Sequence, residues 1–494
     1  MSDSNTNITQ TKNAATRWNA LIQIVQKAVS PLTNILLVHI LAPEVFGIVA
    51  SITLVISFLD VFTEAGFQKY LVFCEAKDDA DLGKIASVAF SVNFAFSLFL
   101  FTLLVIFREQ VANLVGVPGK GTAVMVAALA LPLTSFSSIQ GALIQRQLQY
   151  KKLFAIQLIG SAIPIVITVP LALSGIGYWA LLIGKVASNL YTAIALTVSS
   201  KWKPRFTVDF PRLKKMLGFC GWSMGESVTT WLATNLDILI VSSLLSSYYL
   251  GLYKTSISLV NEGLRIVSSA ILPVTYSVIS RLKNDEKRFN QEVYRSQQML
   301  ASIVLPMGAG LFLFRDLATN LALGSQWLEA ADLLGFWSLA TCIDIAFAYI
   351  CDDVYRAIGK PRWSFVTHMA IIIVLIPAVY FSANIGYAVL VIVRPLTKIV
   401  DLVVREIALR KCSNISVFRF VKNSLPPILG VAVMWIAALV LQSLSKNVIW
   451  QFVSIGICAG VYFTVLYLQP SGRKILGDLI GIIRPQRKLK AEKE

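Results

Sequence analysis

Long apolar runs alternate with short polar segments along almost the whole chain, and the runs fall in one length class. Fourteen can be drawn, among them Ala14 to Leu41, Phe46 to Phe73, Thr122 to Gln145, Leu217 to Leu245, Gly251 to Ser280, Leu328 to Ala357 and Tyr387 to Leu409. Roughly twenty apolar residues in helical form cross the ~30 Å of hydrocarbon in a bilayer. Runs of this length without period-two alternation cannot be barrel strands, so each predicts a transmembrane helix. The expected fold class is all-α, a polytopic membrane protein of fourteen transmembrane helices. The polar segment Met1 to Asn13 leads into a run longer than a signal-peptide core and shows no small-residue cleavage site, so the first helix is expected to be retained.

Charge sorts the loops between the runs into two alternating sets. One set, with both termini, holds most of the 44 Lys and Arg, whereas the other holds only Arg108, Lys120, Arg315 and Lys446. Positive charge is retained on the cytoplasmic side, which predicts a cell inner (cytoplasmic) membrane protein with both termini inside. Composition agrees, with 56% hydrophobic residues, 14% charged and a mean hydropathy of +0.69. The net charge of +17 would point to nucleic acid in a soluble chain. Here the orientation rule and anionic lipid account for it, and no nucleic-acid partner is expected.

The chain also matches itself at an offset of about 200 residues. Leu41 to Ala50 aligns with Leu245 to Lys254, pairing Gly47 with Gly251; Arg146 to Phe154 aligns with Arg356 to Ser364; and Ile176 to Leu181 (IGYWAL) aligns with Ile385 to Leu390 (IGYAVL). The offsets are 204, 210 and 209 residues. Helices 1 to 6 and 7 to 12 therefore read as two copies of one six-helix unit in the same orientation, with a binding cleft expected between them. The expected division is an N-lobe over 1–200, a basic cytoplasmic linker over 201–216, a C-lobe over 217–411, two further helices within 412–470 and a basic tail over 471–494. Pro204 and Pro211 make the linker non-helical at least in part.

Polar residues inside the apolar runs fall at helical spacing. Helix 2 carries Thr53, Ser57, Asp60 and Glu64 on one face, and helix 1 carries Gln23, Lys27, Ser30 and Asn34. Helix 7 aligns Glu226, Thr230, Thr234 and Asp237, and helix 8 aligns Lys254, Ser258, Asn261 and Arg265 with Glu262 beside them. Lys185 and Arg394 correspond under the repeat, and helix 12 continues with Lys398, Asp401 and Arg405. A charge at the bilayer centre costs about 3 kcal/mol, so these stripes should face protein or water and are expected to line a hydrated cavity. Lys27, Lys254, Arg265, Lys185 and Arg394 are the candidate ligands for an anionic group. The acids Asp60, Glu64, Glu226, Asp237 and Glu262 are candidates to carry a coupling proton or sodium ion. A second reading makes Asp60, Glu64, Glu226 and Asp237 plain ion-pair partners of Lys27, Lys254 and Arg265. Lys398 and Arg405 read as anchors at the cytoplasmic interface, and of Asp344, Asp352 and Asp353 only Asp344 lies deep in its run.

Catalytic and cofactor signatures are absent: no P-loop, HExxH, GxSxG or HxE with CxxC occurs, and no cofactor or metal is expected. The six cysteines form no CxxC pair, and His39 and His368 stand alone, which favours structural roles.

Three segments carry a resemblance: His39 to Val72 (HILAPEVFGIVASITLVISFLDVFTEAGFQKYLV), Ala142 to Gly160 (ALIQRQLQYKKLFAIQLIG) and Gly218 to Ser256 (GFCGWSMGESVTTWLATNLDILIVSSLLSSYYLGLYKTS). LGSQWLEAADLL at Leu323 to Leu334 fits the outer start of helix 10. Together they resemble the polysaccharide flippases of the multidrug/oligosaccharidyl-lipid/polysaccharide exporter superfamily, in the branch of colanic acid, O-antigen and teichuronic acid exporters. The resemblance implies two six-helix lobes around a cavity lined by helices 1, 2, 7 and 8, and no enzymatic activity. It implies an undecaprenyl-diphosphate-linked oligosaccharide as cargo, flipped by alternating access for lipopolysaccharide or exopolysaccharide synthesis, with Lys27, Lys254 and Arg265 on the diphosphate. Implied partners are membrane lipids, the polymerase and chain-length machinery, and a coupling H+ or Na+. Helices 1 and 2 hold fewer arginines than in peptidoglycan-precursor flippases, which argues against lipid II as cargo. The rival readings are a cation-coupled drug antiporter, which would need an acidic cavity, and a membrane polymerase or glycosyltransferase, which would need a large outer loop.

Overall fold

The computed structural model describes residues 33–483 apart from 65, 75, 361, 414 and 446. The described residues form helices joined by short loops, with no strand among them, and separate into two compact units, Met1–Lys254 and Thr255–Glu494. The first holds α1 (33–40), α2 (Pro43–Glu64), α3 (Phe67–Phe73), α4 (Asp79–Ile106), α5 (Arg108–Leu114), α6 (Gly121–Ala128), α7 (Ala130–Arg146), α8 (Tyr150–Leu173), α9 (Tyr178–Ser199), α10 (Phe210–Leu244) and the first turns of α11 (Ser247–Arg281). The second continues α11 and adds α12 (Glu286–Leu313), α13 (Arg315–Ala322), a 3-10 helix over Ser325–Ala330, α14 (Ala331–Phe347), α15 (Tyr349–Ala357) and α16 (Arg362–Ile385). It ends with α17 (Tyr387–Cys412), α18 (Val417–Asn423), α19 (Leu425–Leu444), α20 (Val448–Leu468) and α21 (Pro470–Ile483).

Twelve stretches of the described residues are long and apolar enough to cross a membrane, and they correspond to predicted spans 2 to 11, 13 and 14. Predicted span 12 is α17, which has the length, 26 residues, but carries Arg394, Lys398, Asp401, Arg405 and Glu406. Most of span 1 lies outside the described residues. Three predicted spans prove to be broken helices. Span 2 divides after Glu64, span 4 at Leu129 and span 10 at Ala348. At Leu129, three residues before Pro132, the N–H bonds to Val126 O at 3.2 Å, a tighter turn than the α-helical one. The linker is non-helical as far as Asp209, whose side chain accepts from the Arg212 N–H and caps α10 with Pro211 in its first turn.

Several elements recur between the two halves. Asp78 and Asp285 cap helices of equal length, 28 residues in α4 and in α12. The helices α8 and α16 are 24 residues each. Gly177 and Gly386, both at positive φ, open α9 and α17 at the shared Ile-Gly-Tyr. After α7 the N–H groups of Leu148 and Gln149 bond to Gln145 O and Ile144 O; after α15 those of Gly359 and Lys360 bond to Arg356 O and Tyr355 O. That turn recurs at an offset of 211, one residue more than the sequence alignment gives.

In the first unit Ile48, Ile52 and Ile56 of α2 pack with Leu100, Leu104, Val124 and Leu131. Helix α10, which the repeat assigns to the second copy, packs against α2 in this unit, with Trp231 Nε1 donating to Ser57 Oγ at 3.1 Å. Gly47 and Gly251 let α2 and the start of α11 cross backbone to backbone. A Cβ on Gly47 would overlap Ser247 O, and a Cβ on Gly251 would overlap Pro43 O, so each glycine meets the carbonyl four residues before its repeat partner. This reciprocity is that of an isologous contact, here within one chain. In the second unit α19 and α20 pack on α12 and α13 through Ala309, Phe314, Met434, Ala438, Cys458 and Tyr462. Outward faces, such as Phe99, Leu103 and Ile106 of α4, are apolar and exposed, as hydrocarbon contact requires.

Candidate functional site

Of the predicted site residues, Lys27 lies outside the described residues, as do the side chains of Glu64 and Glu226. In the first unit Asp60 is half-buried and accepts from Thr134 Oγ1 at 3.1 Å, and the Lys185 ammonium on α9 acts on it through space. Lys185 and Arg394 sit at matched positions, each the same distance past the helix-opening Tyr178 or Tyr387. Asp237 is 5% exposed and accepts from Tyr253 Oη at 2.9 Å, tying α10 to the first turns of α11. Neither acid is the partner of Lys254 or Arg265. Those two cations, with Glu262, lie along α11; neither forms an ion pair among the described residues, and Arg265 and Glu262 are exposed. Their separation of eleven residues is three helical turns, which places both on one face.

Among the described residues the densest buried charge lies elsewhere, in the second unit, on the seam that α17 forms with α14 and α15. Lys398 Nζ meets Asp344 Oδ2 at 2.6 Å, and Asp344 is 1% exposed. Two α-helical turns further, Arg405 meets Asp401 at 2.6 Å and Asp352 at 2.7 Å, with its own side chain 6% exposed. Ser364 of α16 donates to the same Asp352, and Tyr355 Oη donates to Arg405 O at 3.1 Å. The Arg394 guanidinium lies 4.6 Å from the centre of the Trp337 ring and donates to Thr397 Oγ1 at 3.0 Å. Trp337 Nε1 in turn donates to Asn261 of α11 at 3.2 Å, so the polar stripe of helix 8 joins this seam. Lys398, half-buried, and Arg405, buried, are therefore ion-pair partners rather than the interface anchors the sequence suggests, and Asp352 belongs with Asp344. The sequence signal was the i, i+4 series Arg394, Lys398, Asp401, Arg405. Its partners lie 54 and 53 residues away, on helices whose facing no local pattern reveals.

Desolvating such a set costs several kcal/mol per ion, which close pairing offsets only in part, so buried charge is weak evidence for stability and points to function. The two histidines are local: His39 Nδ1 lies 2.8 Å from Ile35 O and His368 Nδ1 2.6 Å from Ser364 O, each one turn back on its own helix. The six cysteines are free and buried.

Comparison with known proteins brings the same class forward. The chain is 27% identical over 332 residues to the succinoglycan biosynthesis transport protein ExoT of Rhizobium meliloti, covering 67% of this chain and 66% of that protein, just under two thirds of its length. It is 17% identical over 318 residues to the lipopolysaccharide biosynthesis protein WzxC of Escherichia coli, covering 63% of each chain. Its fold is that of the lipid II flippase MurJ in an inward closed conformation, with a TM-score of 0.72 at 15% identity over 91% of this chain and 98% of that one. The profile of one family, described as polysaccharide biosynthesis protein, matches residues 36–332, more than half of the chain, and to that family the chain belongs.

Proposed function

We propose that this protein is a flippase, moving an undecaprenyl-diphosphate-linked oligosaccharide from the inner to the outer leaflet of the cytoplasmic membrane by alternating access. The observation that carries the reading is the row of cations on α11, Lys254 and Arg265, without ion-pair partners among the described residues. A diphosphate cannot cross hydrocarbon unaided and needs such cations, whereas sugars need only a hydrated path and the polyprenyl tail remains in lipid. Lys27 is the third ligand, with Lys185 and Arg394 as secondary ones. Support comes from relatives named for succinoglycan transport and lipopolysaccharide biosynthesis, and from the shared fold of a protein named as a lipid II flippase. The protein works as a transporter and not an enzyme, with both termini cytoplasmic, six-helix lobes over 1–200 and 217–411, and H+ or Na+ coupling through acids such as Asp60, Asp237 or Glu262.

The test is polymer export by a strain whose own flippase gene is replaced by this one. Arg265→Ala should abolish surface polysaccharide while the protein stays in the membrane, and Arg265→Lys should restore part of it, since charge survives without the bidentate fork. Normal polysaccharide in each of Lys27→Ala, Lys254→Ala and Arg265→Ala would refute the cationic site. Efflux of a cationic dye in place of polymer export would favour the antiporter.

A further inference from the structure

The seam holds a group whose bonding is unfinished. Asp344 sends one oxygen to Lys398, but its Oδ1 is buried without a hydrogen-bond partner among the described residues, and so is Thr341 Oγ1 one turn earlier on α14. An orphaned carboxylate oxygen in a membrane interior is costly, and a proton is the smallest ligand that would satisfy it. A metal ion would need a shell of several oxygens, and the Lys398 ammonium already stands at the cation's place. The Lys398 side chain itself is 22% exposed and therefore reaches the surface of the unit. Its ammonium and the Arg394 guanidinium both lie against the Trp337 ring, 5.7 and 4.6 Å from its centre.

The charges of the seam balance. Arg394, Lys398 and Arg405 stand against Asp344, Asp352 and Asp401, three of each sign. Other groups that act on the pair are Tyr349 of α15 on Lys398, and His368 of α16 on Asp352. Helix α12, packed on the other side of α14, contributes neutral groups there: the Gln297 amide on Ala346 O and Gly308 against Cys342 and Ser338. One proton on Asp344 thus leaves a single uncompensated positive charge, located on Lys398 beside Arg394.

Building on the flippase reading, we infer that Lys398 is a phosphate-binding cation held in reserve by Asp344, and that protonation of Asp344 releases it to a phosphate oxygen of the cargo. The exchange is balanced: a proton from water replaces the ammonium on the carboxylate, the ammonium donates to the phosphate, and loss of that proton returns Lys398 to Asp344 and frees the anion. Phosphate binding and proton uptake are then one event, at a lysine outside the α11 row.

Binding of inorganic diphosphate to the purified full-length protein in lipid nanodiscs, measured by calorimetry across about pH 5 to 8, tests this. Diphosphate titrates in that range for every variant alike, so differences between variants are what count. Asp344→Asn should bind across the range as tightly as wild type does at the acid end, with a flatter pH profile. Lys398→Gln should bind at least roughly tenfold more weakly at the acid end, the worth of one charge-assisted hydrogen bond. Lys398→Arg should keep the wild-type profile, which guards against loss of fold as the explanation. A wild-type slope in Asp344→Asn, or wild-type affinity in Lys398→Gln, would overturn the inference and leave the flippase reading standing. Wild-type protein that binds no diphosphate at any pH would overturn both.

Discussion

The seam between α7 and α9 in the first unit and the seam that α14 and α15 make with α17 in the second are copies of one arrangement, yet the first carries a lone cation, Lys185, and the second a network of ion pairs. Under the repeat, Lys398, Asp401 and Arg405 stand where the first copy has Asn189, Thr192 and Leu196, and Asp344 stands where it has Thr134. Arg405 meets Asp352 at 2.7 Å, and the matched pair is Leu196 against Gly141, whose added Cβ would rest 3.6 Å from the leucine. The first seam is held by neutral contacts such as Gln140 Nε2 to Thr197 Oγ1 at 3.2 Å. Since the same helices pack in the same order without the ions, the fold does not require them. Charge in the second copy is an addition, made against a desolvation cost, and that is the mark of a working site.

The comparison can be broken most forcefully by leaving one ion unpaired. Lys398→Met strands Asp344 and should destabilise the protein by about 3–5 kcal/mol, whereas Asp344→Leu combined with Lys398→Met should recover most of the loss. Matched changes in the first copy, Thr134→Val with Asn189→Leu, should cost ~1 kcal/mol, as membrane hydrogen bonds do. Denaturant unfolding in mixed micelles would decide, and equal costs in the two copies would end the distinction. Importing the neutral pattern, as Asp352→Gly with Arg405→Leu, sharpens the point: stability should fall by about 2 kcal/mol or less while polymer export is lost.

A third test addresses the place where the repeat meets itself. Gly47→Ala or Gly251→Ala forces α2 and α11 apart and should cost about 2 kcal/mol in the same unfolding assay. Gly263→Ala, on the same α11 but with nothing near its added Cβ, should stabilise by up to ~1 kcal/mol. The smallest effect concerns the recurring turn, where Leu148 has φ +55° and Gly359 has φ +73°. Leu148→Gly should gain a few tenths of a kcal/mol, and Gly359→Ala should lose about 1 kcal/mol. Melting temperatures moving in the same direction for both would show that the two turns are not equivalent.

What the sequence determined alone is whatever depends on neighbours along the chain. Run length and apolarity placed predicted spans 2 to 11, 13 and 14, because crossing a bilayer is a requirement on a single segment. Helical spacing gathered Arg394, Lys398, Asp401 and Arg405 on one side of α17, and self-alignment paired Gly47 with Gly251 and Lys185 with Arg394. It read Lys398 and Arg405 as surface anchors, because depth along a helix says nothing about which neighbour covers it. Tertiary structure decided that α10 packs on α2, that the predicted span over Leu328 to Ala357 breaks at Ala348, and that Asp344 and Asp352 face α17. Each of these depends on how helices are rotated about their axes and which are adjacent. A residue's own periodicity is indifferent to both, so the acids that pair with Lys398 and Arg405 became visible only once the helices were packed.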